Sequence, residues 1–346
     1  MIRISLLSLC LLLETLCVAT PVYDFDKIDA HARATPAKYS KDVSELAAYL
    51  TRPARNDHEK VRSFYVWLAE NIAYDVDLFR SYRPGTSLNM EPVMVLNKRK
   101  AVCQGYADLF NALCEEVGIK SVLVPGYSKG FGNANRTDFS NADHAWNSVL
   151  LDGKWHLLDA TWGAGGLDDK MRYKAVFNEK YFLTKPEEFV LDHMPLQPMW
   201  QLLDCPVSMK AFAAGSQAVE KELSATKNCE PFEAKIDKYE QMDAPDKKLY
   251  AAQEAYRFNP ANHLVMGRGY MDKAHQIMSG IQRQMSSKAE IEAAVKVQEE
   301  SLAYLIKARE VLNKAGKKAK MEIDFVNKNI RNGQENLKAM KAILSH

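Results

Sequence analysis

Two strand-like runs, His144 to Leu151 and Lys154 to Thr161, stand on either side of Asp152-Gly153. Asp-Gly is a preferred pair for a two-residue type I′ turn, in which both central residues take positive φ. No other dipeptide in the chain constrains the fold as much, because turn length sets register and register sets which side chains share a face. With two residues in the turn, Leu151 pairs with Lys154, His144 faces Thr161 and Trp146 faces Asp159. His144 and Asp159 then become diagonal neighbours on one face, with Cα atoms roughly 7–8 Å apart. An imidazole and a carboxylate bridge that distance with one hydrogen bond. A slip of one residue would separate them onto opposite faces. The same parity puts His156 on the other face, opposite Val149, where it reads as structural. No local pattern brings a cysteine or a carboxylate to the remaining histidines.

An imidazole held by a carboxylate is one half of a nucleophilic constellation. Cys103 supplies the other half. It follows the basic run Lys98-Arg99-Lys100 and immediately precedes the apolar-periodic segment Tyr106 to Val117, so it falls at a helix N-terminus. The positive end of a helix lowers a thiol's pKa from its reference near 8.5. The free backbone N–H groups there also offer a place for an oxyanion. Cys114, among Phe110, Leu113 and Val117, reads as a small buried apolar residue. Cys205 and Cys229 flank a linker-like segment and are the natural candidates for a pair in an oxidising compartment. A zinc site built from Cys103, His144 and Asp159 is chemically possible. The chain lacks CxxC or HExxH spacing, so no metal and no cofactor is expected.

The N-terminus bears on compartment. Arg3 precedes an apolar run from Ile4 to Leu13, and the stretch after it ends in Cys17-Val18-Ala19. This is the pattern of a secretory signal peptide over residues 1–19, cleaved after Ala19. A spanning helix would need roughly 20 apolar residues, and Glu14 interrupts the run. Glu14-Thr15-Leu16 makes a poor lipobox for attachment at Cys17. A secreted or periplasmic protein is therefore expected, with no later segment apolar enough to span a bilayer. The 46 basic and 44 acidic residues nearly cancel, which gives no electrostatic reason to expect nucleic acid as a partner.

Organisation follows from periodicity. Val43, Leu46, Ala47 and Leu50 form an apolar helical stripe, and a second helix with Val61, Tyr65, Leu68 and Ile72 follows a possible capping box at Asn56 and Glu59. Arg83-Pro84-Gly85 marks a loop, Ile119 to Tyr127 a strand, and Gly130 to Asn141 a surface loop. Residues 20–205 make the catalytic unit and 206–231 a linker. Residues 232–346, rich in Ala, Lys, Glu, Gln and Met, make an all-α bundle. There Ser287 and Glu290 cap a helix that Gly316 ends, and a last helix carries Ile323, Val326 and Ile330.

Four segments, in order, resemble the transglutaminase-like superfamily. They are Lys60 to Asp75 (KVRSFYVWLAENIAYD), Val102 to Ala107 (VCQGYA), His144-Ala145-Trp146-Asn147 and Asp159-Ala160-Thr161-Trp162-Gly163. The likeness is to the peptidase-type branch, to which kyphoscoliosis peptidase and bacterial secreted homologues belong. It continues through Tyr181-Phe182-Leu183 and from His193 to Trp200-Gln201-Leu202-Leu203, covering roughly residues 28 to 204 and none of the C-terminal helices. The resemblance implies an α+β, papain-like core with an antiparallel sheet, followed here by the helical bundle. Cys103 would attack a carboxamide or peptide carbonyl, His144 would take and return the proton, and Asp159 would orient the ring. Gln104 and Trp67 are the candidates for a second oxyanion donor. Calcium dependence is not implied, because the chain lacks the length and calcium-site context of the animal cross-linking enzymes. The expected function is an exported cysteine protease or amidase acting through a thioester on a protein or peptide. The alternatives are acyl transfer from protein glutamine to amines, or a non-catalytic protein-binding module. The C-terminal helices would bind a protein partner or cover the cleft.

Overall fold

A computed structural model describes residues 23–81, 90–130, 136–225, 228–280 and 287–345. The leader expected over 1–19 and the Arg83-Pro84-Gly85 loop lie outside the described residues, as do positions 131–135 of the Gly130 to Asn141 loop.

The hairpin forms as the turn chemistry requires. Asp152 and Gly153 take φ of 49° and 75°, and Leu151 pairs with Lys154, Val149 with His156 and Asn147 with Leu158. These strands, His144–Leu151 and Lys154–Leu158, are two of four in an antiparallel sheet. Ser121–Ser128 lies beyond His144–Leu151, and His193–Pro195 forms the far edge. Gly126 pairs with His144 on one side and Pro195 on the other. A Cβ there would stand 2.3 Å from both the Met194 carbonyl oxygen and the Trp146 ring, so the sheet closes at this point only around glycine.

The helix Cys103–Glu116 packs against this sheet. Its Leu109, Phe110, Leu113 and Cys114 share a buried cluster with Val149 and Leu151. Two further helices, Val43–Leu50 and Asp57–Asn71, add Leu46, Leu50, Phe64 and Leu68 to the same cluster. Asn56 caps the second as the sequence suggests, accepting from Glu59 N–H at 2.9 Å, and Asp42 caps the first by accepting from Glu45 N–H. The Glu59 carboxylate, however, accepts from Arg55 N–H rather than closing the box on Asn56. A second cluster holds Trp146, Phe189 and Trp200 together with Ile236, which comes from the C-terminal region.

Much of the stretch expected as a linker over 206–231 is helical. It carries the helices Met209–Ala214 and Ser216–Leu223, and Phe212 and Val219 bury against Tyr127 and Met194. Cys205 and Cys229 are disulfide-bonded across a separation of 24 residues, which on chain-entropy grounds is worth about 3 kcal/mol. Beyond it, among the described residues, run the α-helices Phe232–Glu240, Ala244–Phe258, His263–Ser279, Lys288–Ala315 and Lys320–Leu344. Ser287 and Glu290 form the capping box, and Gly316, at φ 61°, follows the end of that helix. Leu264, Leu302, Leu312, Val326 and Ile330 form the core of this region. It is tied to the sheet by Asn259 and Asn262, whose side-chain N–H groups both donate to the buried Tyr127 hydroxyl at 2.8 Å. No helix among the described residues is long and apolar enough to cross a membrane.

Candidate active site

Cys103 is the first residue of its helix, preceded by an extended Val102 that offers no side-chain cap. The first intrahelical bond runs from Gly105 N–H to the Val102 carbonyl at 2.9 Å. The N–H groups of Cys103 and Gln104 therefore lie ahead of the helical ladder, at the end where the macrodipole favours negative charge. The thiol is half-buried. Just upstream, Lys100–Ala101 pairs in parallel with Ala73–Tyr74, which sets Tyr74 beside the turn that carries Cys103.

His144 opens its strand at 8 % exposure. Its Nε2 donates to Asp159 Oδ2 at 2.7 Å. Burial works against charge on this ring. The Asp159 carboxylate, with a smaller contribution from the neighbouring Cys103, outweighs burial and holds the imidazole well above the usual histidine range.

Asp159 departs from the expected strand. The hairpin ladder stops at the Asn147–Leu158 pair, so Trp146 does not face Asp159 across it, and residues 160–163 form one helical turn instead of continuing to Thr161. The cause is the aspartate itself, which acts as the N-cap of that turn: Oδ1 accepts from Thr161 N–H at 2.7 Å and Trp162 N–H at 3.1 Å. Oδ2 remains for the imidazole. Four donors meet the four lone-pair positions of this carboxylate, the fourth being His193 Nε2 at 3.1 Å. Burial would raise the Asp159 pKa, but His144 and His193 hold it well below the usual carboxylate range.

His193 is a residue that sequence reasoning missed. Its other nitrogen, Nδ1, lies 2.6 Å from Asp192 Oδ1. It reaches the site only because Ser128 pairs with His193 across the sheet edge, a contact spanning 65 positions that no local pattern signals. His144, Asp159 and His193 bring potential ligand atoms within 4.8 Å of one another, but each atom is already engaged in hydrogen bonding within the cluster. This group does not include Cys103.

The two candidates for an oxyanion donor point elsewhere. Gln104 Nε2 donates along its own helix to Asp108 at 2.9 Å. Trp67 is buried in the core under the Arg99 guanidinium. Tyr74 is better placed, because it lines a cleft of about 350 Å³ together with His144, Trp162, Gly165 and Tyr173. Burial, and after it the charge of Cys103, push the Tyr74 phenol above its ordinary pKa, so it remains an O–H donor. Asp143, at the same cleft, is paired with Arg136 at 2.5 Å.

A helix headed by a half-buried cysteine, packed on an antiparallel sheet with a histidine on one strand and an aspartate just past the end of the next, defines a transglutaminase-like α+β core. Residues 44–160 match the transglutaminase-like superfamily, so this stretch of the chain carries a transglutaminase-like domain. Kyphoscoliosis peptidase from Mus musculus and from Homo sapiens each share 40 % identity with the chain over 190 residues, 54 % of this chain and 28 % of theirs. Hillarin from Drosophila melanogaster shares 28 % identity over 210 residues, 56 % of this chain and 25 % of its own length. The chain thus spans little more than a quarter of these relatives.

Proposed function

We propose that the chain is an exported cysteine hydrolase, a peptidase or amidase, using Cys103, His144 and Asp159. The observation that supports this reading is a buried imidazole held by a buried carboxylate at 2.7 Å, on a sheet against which the helix headed by Cys103 packs. Cys103 Sγ attacks the carbonyl carbon while the proton held by His144 passes to the leaving amine, and the C–N bond breaks to leave a thioester. Water then attacks the thioester, His144 takes its proton, and the acid leaves as the sulfur is released. The Cys103 and Gln104 N–H groups and the Tyr74 hydroxyl are the donors available to the oxyanion. The Cys205–Cys229 bond supports export, since structural disulfides persist in oxidising compartments.

The full chain is incubated with iodoacetamide at pH 6, and alkylation is read by peptide mass. Cys103 is expected to react at least tenfold faster than in His144→Ala; equal rates overturn the proposal. Transfer to amines shares every residue of the first step. Casein with a labelled primary amine separates the two: release of peptides or ammonia without label is expected, and stable incorporation of the amine would replace hydrolysis by transfer.

A further inference from the structure

His193 takes no part in the proposed bond-making, yet its side chain is fully enclosed. Its Nδ1 lies 2.6 Å from Asp192 Oδ1 and its Nε2 3.1 Å from Asp159 Oδ2. A neutral imidazole has one N–H and would turn a lone pair on one of these oxygens; only the doubly protonated ring donates to both. The surroundings suit a cation. The ring stacks on Phe189 at 4.1 Å and leans on Trp162 at 4.3 Å, with the edge contact of Trp146 at 5.1 Å.

Charges alternate outward from this ring. On one side Asp192 also accepts from Lys180 Nζ at 2.8 Å and the Tyr181 hydroxyl at 3.1 Å. On the other side Asp159 is shared with His144, whose second neighbour is Cys103. Tyr74 and the Arg136-paired Asp143 complete the ionisable groups at the cleft face of His144. Both histidines bond the same oxygen, Oδ2, and their ring centroids are 5.4 Å apart.

We infer that His193 is a positioning residue that acts through Asp159. As a buried cation it locks the carboxylate in place and takes a share of its charge, which limits how tightly His144 holds its proton. The inference rests on the function proposed above. Without a second cation the whole of the Asp159 charge would serve His144. The ring would keep its proton to higher pH and return it less readily to the leaving group.

The test is the pH dependence of Cys103 alkylation by iodoacetamide in the full chain, which needs no substrate. A cysteine paired with an imidazolium gives a plateau at acid pH and an upper step where the histidine loses its proton. In His193→Gln an uncharged amide can still donate to Asp159, and the upper step is expected about one pH unit higher than in wild type. In His193→Phe the anchor is lost as well, so the plateau rate is expected about tenfold lower in addition to the same upward shift. If the phenylalanine variant fails to fold, His193→Gln and His193→Asn carry the test. An upper step in the folded variants within about 0.2 units of wild type overturns the inference while leaving the proposed function standing. A wild-type profile without the plateau overturns both.

Discussion

Replacing Asp159 by asparagine separates the two tasks of this side chain. The amide oxygen can stand where Oδ1 stands and keep the caps on Thr161 and Trp162 N–H. The amide nitrogen then meets His144 Nε2 and His193 Nε2, so the turn survives and the charge does not. Removing one partner of a buried ion pair costs about 3–5 kcal/mol. At roughly 1.4 kcal/mol per pH unit, that lowers the proton affinity of the His144 ring by about two to three and a half pH units. Burial, the first influence on this ring, is then opposed only by Cys103, and the imidazole is expected to lose its proton at lower pH than in wild type. The rate of Cys103 alkylation at pH 6 should therefore fall roughly 100-fold in Asp159→Asn, the kinetic image of a two-unit shift. Cys114 does not obscure the reading, because it is fully buried and its thiol is pushed up to about 12. A rate within threefold of wild type, in a variant with unchanged circular dichroism, would refute the argument that Asp159 charge sustains the pair.

Three further outcomes are expected. Tyr127→Phe deprives two buried asparagine N–H groups of their acceptor, so denaturant unfolding should show a loss of about 2–4 kcal/mol. Gly163→Ala places a Cβ 2.4 Å from the Tyr65 hydroxyl, which itself donates to the Asn178 carbonyl at 2.6 Å; a cost of about 1–3 kcal/mol from overpacking is expected, with slower Cys103 alkylation because the same turn carries Asp159. Asp159 and Asp192 are both depressed by their imidazole partners against the opposing effect of burial. Their stabilisation is complete above the unfolded carboxylate value near 3.9 and is lost as pH falls below it. The wild-type melting temperature should thus drop as pH falls below about 4, and Asp159→Asn should flatten that drop; parallel curves would contradict the assignment.

The hairpin was legible because its determinants are adjacent in sequence. Asp152 and Gly153 prescribe the turn, the turn prescribes the register, and His144 and Asp159 follow. The end of that ladder was not legible, because an aspartate after a strand is compatible both with one more pair and with a cap. Competition for its oxygens by Thr161 and Trp162 N–H decides between them. Helix starts at Asn56 and Ser287 announced themselves through side chains three residues apart. His193 did not, since its role depends on Ser128 pairing across the sheet and on Trp162 and Phe189 arriving from two other segments. The fold of 206–231 was hidden for a similar reason: Phe212 and Val219 are too sparse to show a period, and they become a core only against Tyr127 and Met194.

The sulfur chemistry carries a practical consequence. One pair of sulfurs is joined at Cys205 and Cys229, while a third, at Cys103, is free, and the proposed function requires it to stay reduced within the same molecule. Too much dithiothreitol threatens the loop that Cys205 and Cys229 close, and too little leaves the proposed nucleophile open to conversion by peroxide into a sulfenic acid. Activity should consequently peak at an intermediate reductant concentration, and a preparation that looks inert can be one that was stored on the wrong side of that peak.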